Sequence, residues 1–247
     1  WTVRDQEGKT WKLMRDASIR RERKTETDYT ETTDTKYQVE MVSPKLIYAE
    51  LPKFQECIRQ VRHRGAKVNE TCGLHVHVDG ANHNRQSLKN ILGIMYSKED
   101  LLFKALQVNE ERAARWCKKV REPMLRKARE LSADETKDLT ALENIWYEGN
   151  VDAHSHYNST RYYAINLHSM FYRGTIEWRC FNSTLHAGKA AAYVNLCLAI
   201  SAQAIAQRST VMRKTKSNNE AFYDLFNYTI NTNSYYNYRN SGIENLT

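Results

Sequence analysis

No stretch constrains the fold more than Gly73-Leu74-His75-Val76-His77-Val78-Asp79. Apolar and polar residues alternate, which is the period of a strand with one buried face and one face carrying His75, His77 and Asp79. A chain holding such a strand must build a sheet with one polar face and cover the other with helices. Thr175-Ile176-Glu177-Trp178-Arg179 repeats the pattern, with Glu177 and Arg179 on one face and Ile176 and Trp178 on the other. Taken alone, a cross-strand salt-bridge ladder explains that pair better than a functional role does. Tyr37 to Val42 alternates too, carries Glu40, and stops at Ser43-Pro44.

Between these strands the period changes to that of helices. Phe54, Cys57, Ile58 and Val61 predict a helix over 52–64 that Gly65 ends. Leu88, Ile91, Leu92 and Met95 mark a second, and Ser97 to Asp100 reads as the cap of a separate helix from Leu101. A basic helix is predicted over 109–130, broken near Pro123, and another from a capping box at Ser132–Glu135 to Trp146. A hairpin is predicted over 2–15, with strands near 161–168 and 174–181 and a long helix over 187–207. That last helix is apolar but carries Asn195, Ser201 and Gln203, so it reads as buried in a core rather than spanning a membrane. Residues 20–36 (RRERKTETDYTETTDTK) show no period and read as an irregular loop or an active-site lid. The class is α+β.

Composition narrows the function classes. The chain has 247 residues, a net charge of +8 and 41% hydrophobic residues, enough for a real core and too apolar for disorder. Five dispersed cysteines with no C-x-x-C pair argue against a zinc knuckle or disulfide framework and for a reducing, cytoplasmic setting. The opening residues read as a strand rather than a signal peptide, and the start at Trp1 reads as that of a fragment. Gly8-Lys9-Thr10 is not a phosphate loop, because Val3 stands where the first glycine belongs. The positive charge favours an anionic partner. The eight Lys and Arg between Arg112 and Arg129 are interleaved with glutamates, so a solvated face explains them better than nucleic acid. His154 and His156 are ligand-type residues in a loop that gives them no scaffold.

Five ordered segments carry a resemblance: WKLMRDAS (11–18), YQVEMVSP (37–44), CGLHVHVD (72–79), RYYAINLHS (161–169) and TIEWRCFNSTLHAG (175–188). Together they resemble the amidoligase family of the carboxylate–amine ligase superfamily typified by glutamine synthetase, over about residues 1–208. The resemblance implies a curved, mostly antiparallel sheet covered by helices. It also implies ATP and Mg²⁺ as cofactors, and an amide bond made from an amino-acid or peptide carboxylate and an amine through an acyl phosphate. Carried over position by position, it gives His75, Glu177 and Glu40 as metal ligands and His77 as a nucleotide-phosphate contact. Arg179 becomes a clamp on the acyl phosphate or substrate carboxylate, and Arg161 and Asn166 line the phosphate and substrate region. Asp16 stands in a turn similar to the one near the amine site, and Glu40 could also serve there.

The sequence departs from the pattern in two places. Nothing before Trp1 resembles the family's G-x-E-x-E strand, and Thr175 stands where the synthetases carry Arg. Residues 209–247, rich in Asn and Tyr, are unassigned, and an oligomer remains open. Two other readings compete: a metal-dependent hydrolase using the H-x-H strand with His154, His156 or His186, and a basic RNA- or partner-binding module using the 109–130 helix. If the amidoligase reading holds, His75, Glu177 and Glu40 converge on one face, with Arg161 and Arg179 at its border, each on a strand. Glu177, read as an open cleft carboxylate, would then be dispensable for folding.

Overall fold

The structure is a computed structural model that describes residues 1–132, 138–148, 155–215, 217–230 and 245–246. The first hairpin forms as predicted, from β1 (Thr2–Arg4) and β2 (Thr10–Arg15). Its turn places Gly8 at φ +81°, in the left-handed region that glycine enters without a Cβ clash. The charged 20–36 segment is not irregular: β3 (Glu22–Lys24) and β4 (Tyr29–Glu31) pair as a second hairpin. Threonine and tyrosine favour strands, and the Arg20 guanidinium ties this hairpin to the main body through Glu22 (2.6 Å) and Glu70 (2.5 Å). β5 (Val39–Val42) then pairs with β2 and completes a three-stranded antiparallel sheet.

After β6 (Leu46–Ile47), α1 (Leu51–His63) ends before Gly65, as its apolar stripe predicts. β7 (Gly73–Asp79) is the H-x-H strand, with Val76 and Val78 buried on its core face. α2 (Arg85–Ala105) is one continuous helix, not two. Its cap is Asn84, whose side chain accepts from the Ser87 N–H (2.8 Å), and the supposed cap at Ser97 lies buried in mid-helix. No Gly or Pro interrupts residues 94–105, so the packing of Leu92, Met95, Leu102 and Phe103 carries the helix through a local capping signal.

The 109–130 region splits into α3 (Glu110–Arg115) and α4 (Glu122–Glu130), with Pro123 in the first turn of α4. α5 (Thr140–Tyr147) starts later than predicted, and the Glu135 end of the supposed capping box lies outside the described residues. The strand predicted near 161–168 shrinks to β8 (Ile165–Asn166). It is preceded by a 3₁₀ turn at Ser159–Arg161 and followed by α6 (His168–Arg173). β9 (Thr175–Asn182), α7 (Ala187–Ala206) and α8 (Asn218–Ile230) follow, and β10 (Asn245–Leu246) closes the described chain.

The main sheet runs in the order β6-β10-β7-β9-β8, with antiparallel pairing throughout. α2 and α7 form the core with its apolar face, where Val78, Ile176, Trp178, Ile91 and Cys197 are fully or almost fully buried. α7 has the length and hydropathy of a membrane span, yet more than half of it is buried within the protein. Beyond α7 the chain folds back over α2: Lys98 reaches Asp224 of α8 at 2.6 Å, and Ser97 meets Thr215. The whole is a mixed α and β fold with eight α-helices and small antiparallel sheets among the described residues.

Candidate active site around Glu177

Register places the site. On β9, Glu177 stands directly opposite His77 of β7 on one side and Asn166 of β8 on the other. Between Leu74 and Val76 the β7–β9 ladder slips by one residue, so Arg179 and Cys180 together face His75. A bulge of this kind re-aims a side chain, and here it brings His75 and Arg179 to the same carboxylate.

Glu177 is 5% exposed and is the hub of the cluster. Its Oε1 accepts a hydrogen bond from Arg179 Nη1 at 2.6 Å, and its Oε2 accepts from Asn166 Nδ2 at 2.5 Å. His75 Nδ1 and His77 Nε2 approach the same Oε1 at 3.3 and 3.5 Å. Burial alone would raise the Glu177 carboxyl, but Arg179 foremost, with the flanking imidazoles and Asn166, holds it down to about 2. Burial, then Arg179, pushes the His75 imidazole down to about 3, so it is neutral near pH 7 although an edge of the ring still meets solvent. Burial lowers His77 as well.

A hydroxyl pair orients His77. Its Nδ1 lies 3.0 Å from Thr175 Oγ1, which in turn meets Ser169 Oγ at 2.8 Å. When the Thr175 hydroxyl donates to Nδ1, the ring proton sits on Nε2 and faces the Glu177 carboxylate. Thr175, an anomaly in the family pattern, thus holds this histidine's ring in place. Sequence reasoning passed over Thr175 and Ser169; the shared face of Thr175 and Glu177, two apart on a strand, was the available signal for the first.

Glu40 belongs to the other sheet, opposite Met14 of β2. It is open to solvent, yet enough protein surrounds it that desolvation raises its carboxyl, helped by the like charges of Asp16 and Glu177 and opposed by Arg179. Glu40 therefore lies within electrostatic range of the Glu177 cluster rather than in contact with it, and Asp16 lies within range of Glu40. Asp16 Oδ1 is itself engaged by the Ser18 N–H and Oγ–H at 2.9 and 2.7 Å.

Arg161 is not on a strand. It lies at the end of the 3₁₀ turn, where Nη1 donates to the His156 carbonyl (3.2 Å) and the guanidinium sits over the Tyr162 ring. Arg179 sits over that ring too, so Arg161 borders the cluster through Tyr162. Asp79 shares the histidine face but is spent on the following turn, accepting from the Ala81 N–H.

The donor set can be weighed against a cation. Two imidazole nitrogens and a carboxylate oxygen converge, and Arg179 supplies the positive charge at Oε1 in this structure. Of these donors the Glu177 carboxylate is the hard oxygen type that Mg²⁺ favours, and water and phosphate oxygens would complete its shell. Among the described residues no ready-made group of three His, Cys, Asp or Glu stands in metal-holding geometry, because Glu40 is not drawn into contact.

Several residues named by the competing readings have partners within the chain. His156 Nε2 is taken by Arg173 at 2.7 Å and its ring stacks on Tyr172, while His186 caps α7 through the Lys189 N–H. His154 lies outside the described residues. Of the basic residues in 109–130, Arg112 is buried against β9, and Lys119, Arg121, Arg126 and Lys127 pair with carboxylates.

On the polar face of an antiparallel sheet, an arginine-bound carboxylate thus lies buried between two histidines. Residues 1–201 match the family model described as "Putative amidoligase enzyme", and the chain belongs to that family. No curated protein and no solved structure matches the chain.

Proposed function

We propose that the protein is an ATP- and Mg²⁺-dependent ligase that joins an amino-acid or peptide carboxylate to an amine through an acyl phosphate, on a glutamine synthetase-like sheet. The observation that carries this reading is Glu177, buried and ionised, with His75, His77 and Arg179 converging on one of its oxygens. His75, Glu177 and Glu40 would hold Mg²⁺, which when bound neutralises phosphate charge during transfer. Arg179 and Arg161 grip the phosphoryl and carboxylate oxygens on which charge develops. His77, fixed by Thr175, presents Nε2 towards the phosphates. Glu40, raised above the ordinary glutamate range, takes the proton of the incoming amine. The β3–β4 hairpin, which lines an open cavity of 260 Å³ with Ser18, Arg21, Glu31 and Gln38, would act as a lid that excludes water from the activated carboxylate. The five free cysteines support a reducing, cytoplasmic setting, and nucleic acid has no part in the reading.

The test is to incubate the protein with Mg²⁺, ATP and pools of amino acids and amines, reading ADP, phosphate and amide product, with hydroxylamine added to trap an acyl phosphate as the hydroxamate. Carboxylate-dependent ADP release and hydroxamate are expected, both lost in Glu177→Gln. Absence of ADP with every donor and acceptor pool refutes the proposal.

A further inference from the structure

Tyr162 lies within the 161–169 family segment, but the resemblance assigns it no role. The Arg161 and Arg179 guanidiniums both lie over its ring, Cζ to centroid 5.0 and 5.8 Å. Trp116 braces the ring edge-on at 5.0 Å and 76°, and Arg115 covers Trp116 from beyond at 4.6 Å. The Tyr162 backbone is pinned independently: its carbonyl accepts from the Lys118 N–H (2.8 Å) and its N–H donates to Ser159 (3.2 Å). The two arginines reach this ring from different elements, Arg161 from the 3₁₀ turn and Arg179 from β9; the backbone ties them only at the main chain, where the Arg179 N–H donates to the Ala164 carbonyl (2.8 Å), and leaves the long side chains to be placed by the ring. The Nε atoms of both arginines are buried and, among the described residues, without a hydrogen-bond partner. Buried donors left unmade are costly, and two guanidiniums with unspent donors over one ring call for an anionic oxygen group.

We propose that Tyr162 is a positioning residue: its braced ring spaces Arg161 and Arg179 into one pincer that takes a phosphoryl group. This rests on the ligase reading for the identity of the phosphoryl donor, but the pincer itself follows from the ring, the two guanidiniums and their orphaned nitrogens. Each cation–π contact restrains an arginine that would otherwise sample many rotamers, so the ring lowers the ordering cost of binding.

The test uses inorganic phosphate as the probe, titrated calorimetrically into the full chain and into Tyr162→Phe and Tyr162→Leu. Wild type and Tyr162→Phe should bind alike, and Tyr162→Leu should bind about tenfold more weakly. Should Tyr162→Leu not fold, Tyr162→Met removes the ring with less change of volume and carries the same expectation. ADP release is followed in parallel to separate the two ideas. Ring-dependent phosphate binding without ADP release sustains the pincer and sinks the ligase reading. Equal phosphate binding by all variants, or none by wild type, overturns the pincer whatever the ADP assay shows.

Discussion

Glu177→Ala separates a cleft carboxylate from a structural one. Read from the sequence as an open cleft group, Glu177 would be dispensable for folding; in the structure it is 5% exposed and anchors Arg179, Asn166 and two imidazoles. Removing it leaves the Arg179 side chain, 12% exposed, without its counter-charge, and leaves Asn166 Nδ2 without its acceptor. Breaking one side of a buried ion pair costs about 3–5 kcal/mol, and Arg179's partial solvent contact places this case near the lower end. The lost neutral hydrogen bond adds about 1 kcal/mol. A total of about 4 kcal/mol would take a large part of a stability of roughly 5–15 kcal/mol and lower Tm by on the order of 10 °C. Urea unfolding at pH 7, followed by tryptophan fluorescence, reads this directly. The double variant Glu177→Met with Arg179→Leu should recover more than half of the loss, because it removes both charges together. A Glu177→Ala loss below about 1 kcal/mol, or a double variant less stable than the single one, would refute the argument from buried charge.

Three further outcomes follow from the same coordinates. Glu99, fully buried with one hydrogen bond from the Val120 N–H, has its carboxyl pushed up to about 7, chiefly by burial. A raised folded-state value means that its contribution is fully present below about 4.5 and is lost as pH rises through 7; Glu99→Gln should therefore gain up to about 3 kcal/mol over wild type at pH 9 and little at pH 5, and a gain independent of pH would contradict this. Gly80→Ala should cost about 1–3 kcal/mol by thermal unfolding, since its Cβ would meet the Gly174 carbonyl at 2.7 Å and the Met170 thioether; a neutral result would show that this turn relaxes freely. Lys98→Met should loosen α8 and speed proteolytic cleavage within 207–230, because the buried ammonium pairs with Asp224; unchanged cleavage would mean that apolar packing alone holds that segment.

The sequence by itself determined the strands and the faces of their residues. Alternation is a local property, so His75 and His77 on β7, and Glu177 and Arg179 on β9, were assigned to common polar faces that the structure retains. It also sufficed for α1, for the first hairpin and for the family, whose motifs are contiguous. Which strand lies beside which is not local, and only the tertiary structure decided it. The β7–β9–β8 order surrounds Glu177 with His77 and Asn166, and the slip opposite His75 brings Arg179 to the same oxygen. Burial was likewise invisible, because depth depends on side chains brought from distant parts of the chain, here His75, His77 and Asn166 with Arg179, and depth is what turned Glu177 from a cleft carboxylate into a structural hub. The capping signal at Ser97 failed for the same reason: core packing along α2 outweighs a few local hydrogen bonds. Tyr162 stands inside a family segment that gives it no role, and its place under two arginines, one from a turn and one from a strand, appears only in the folded chain.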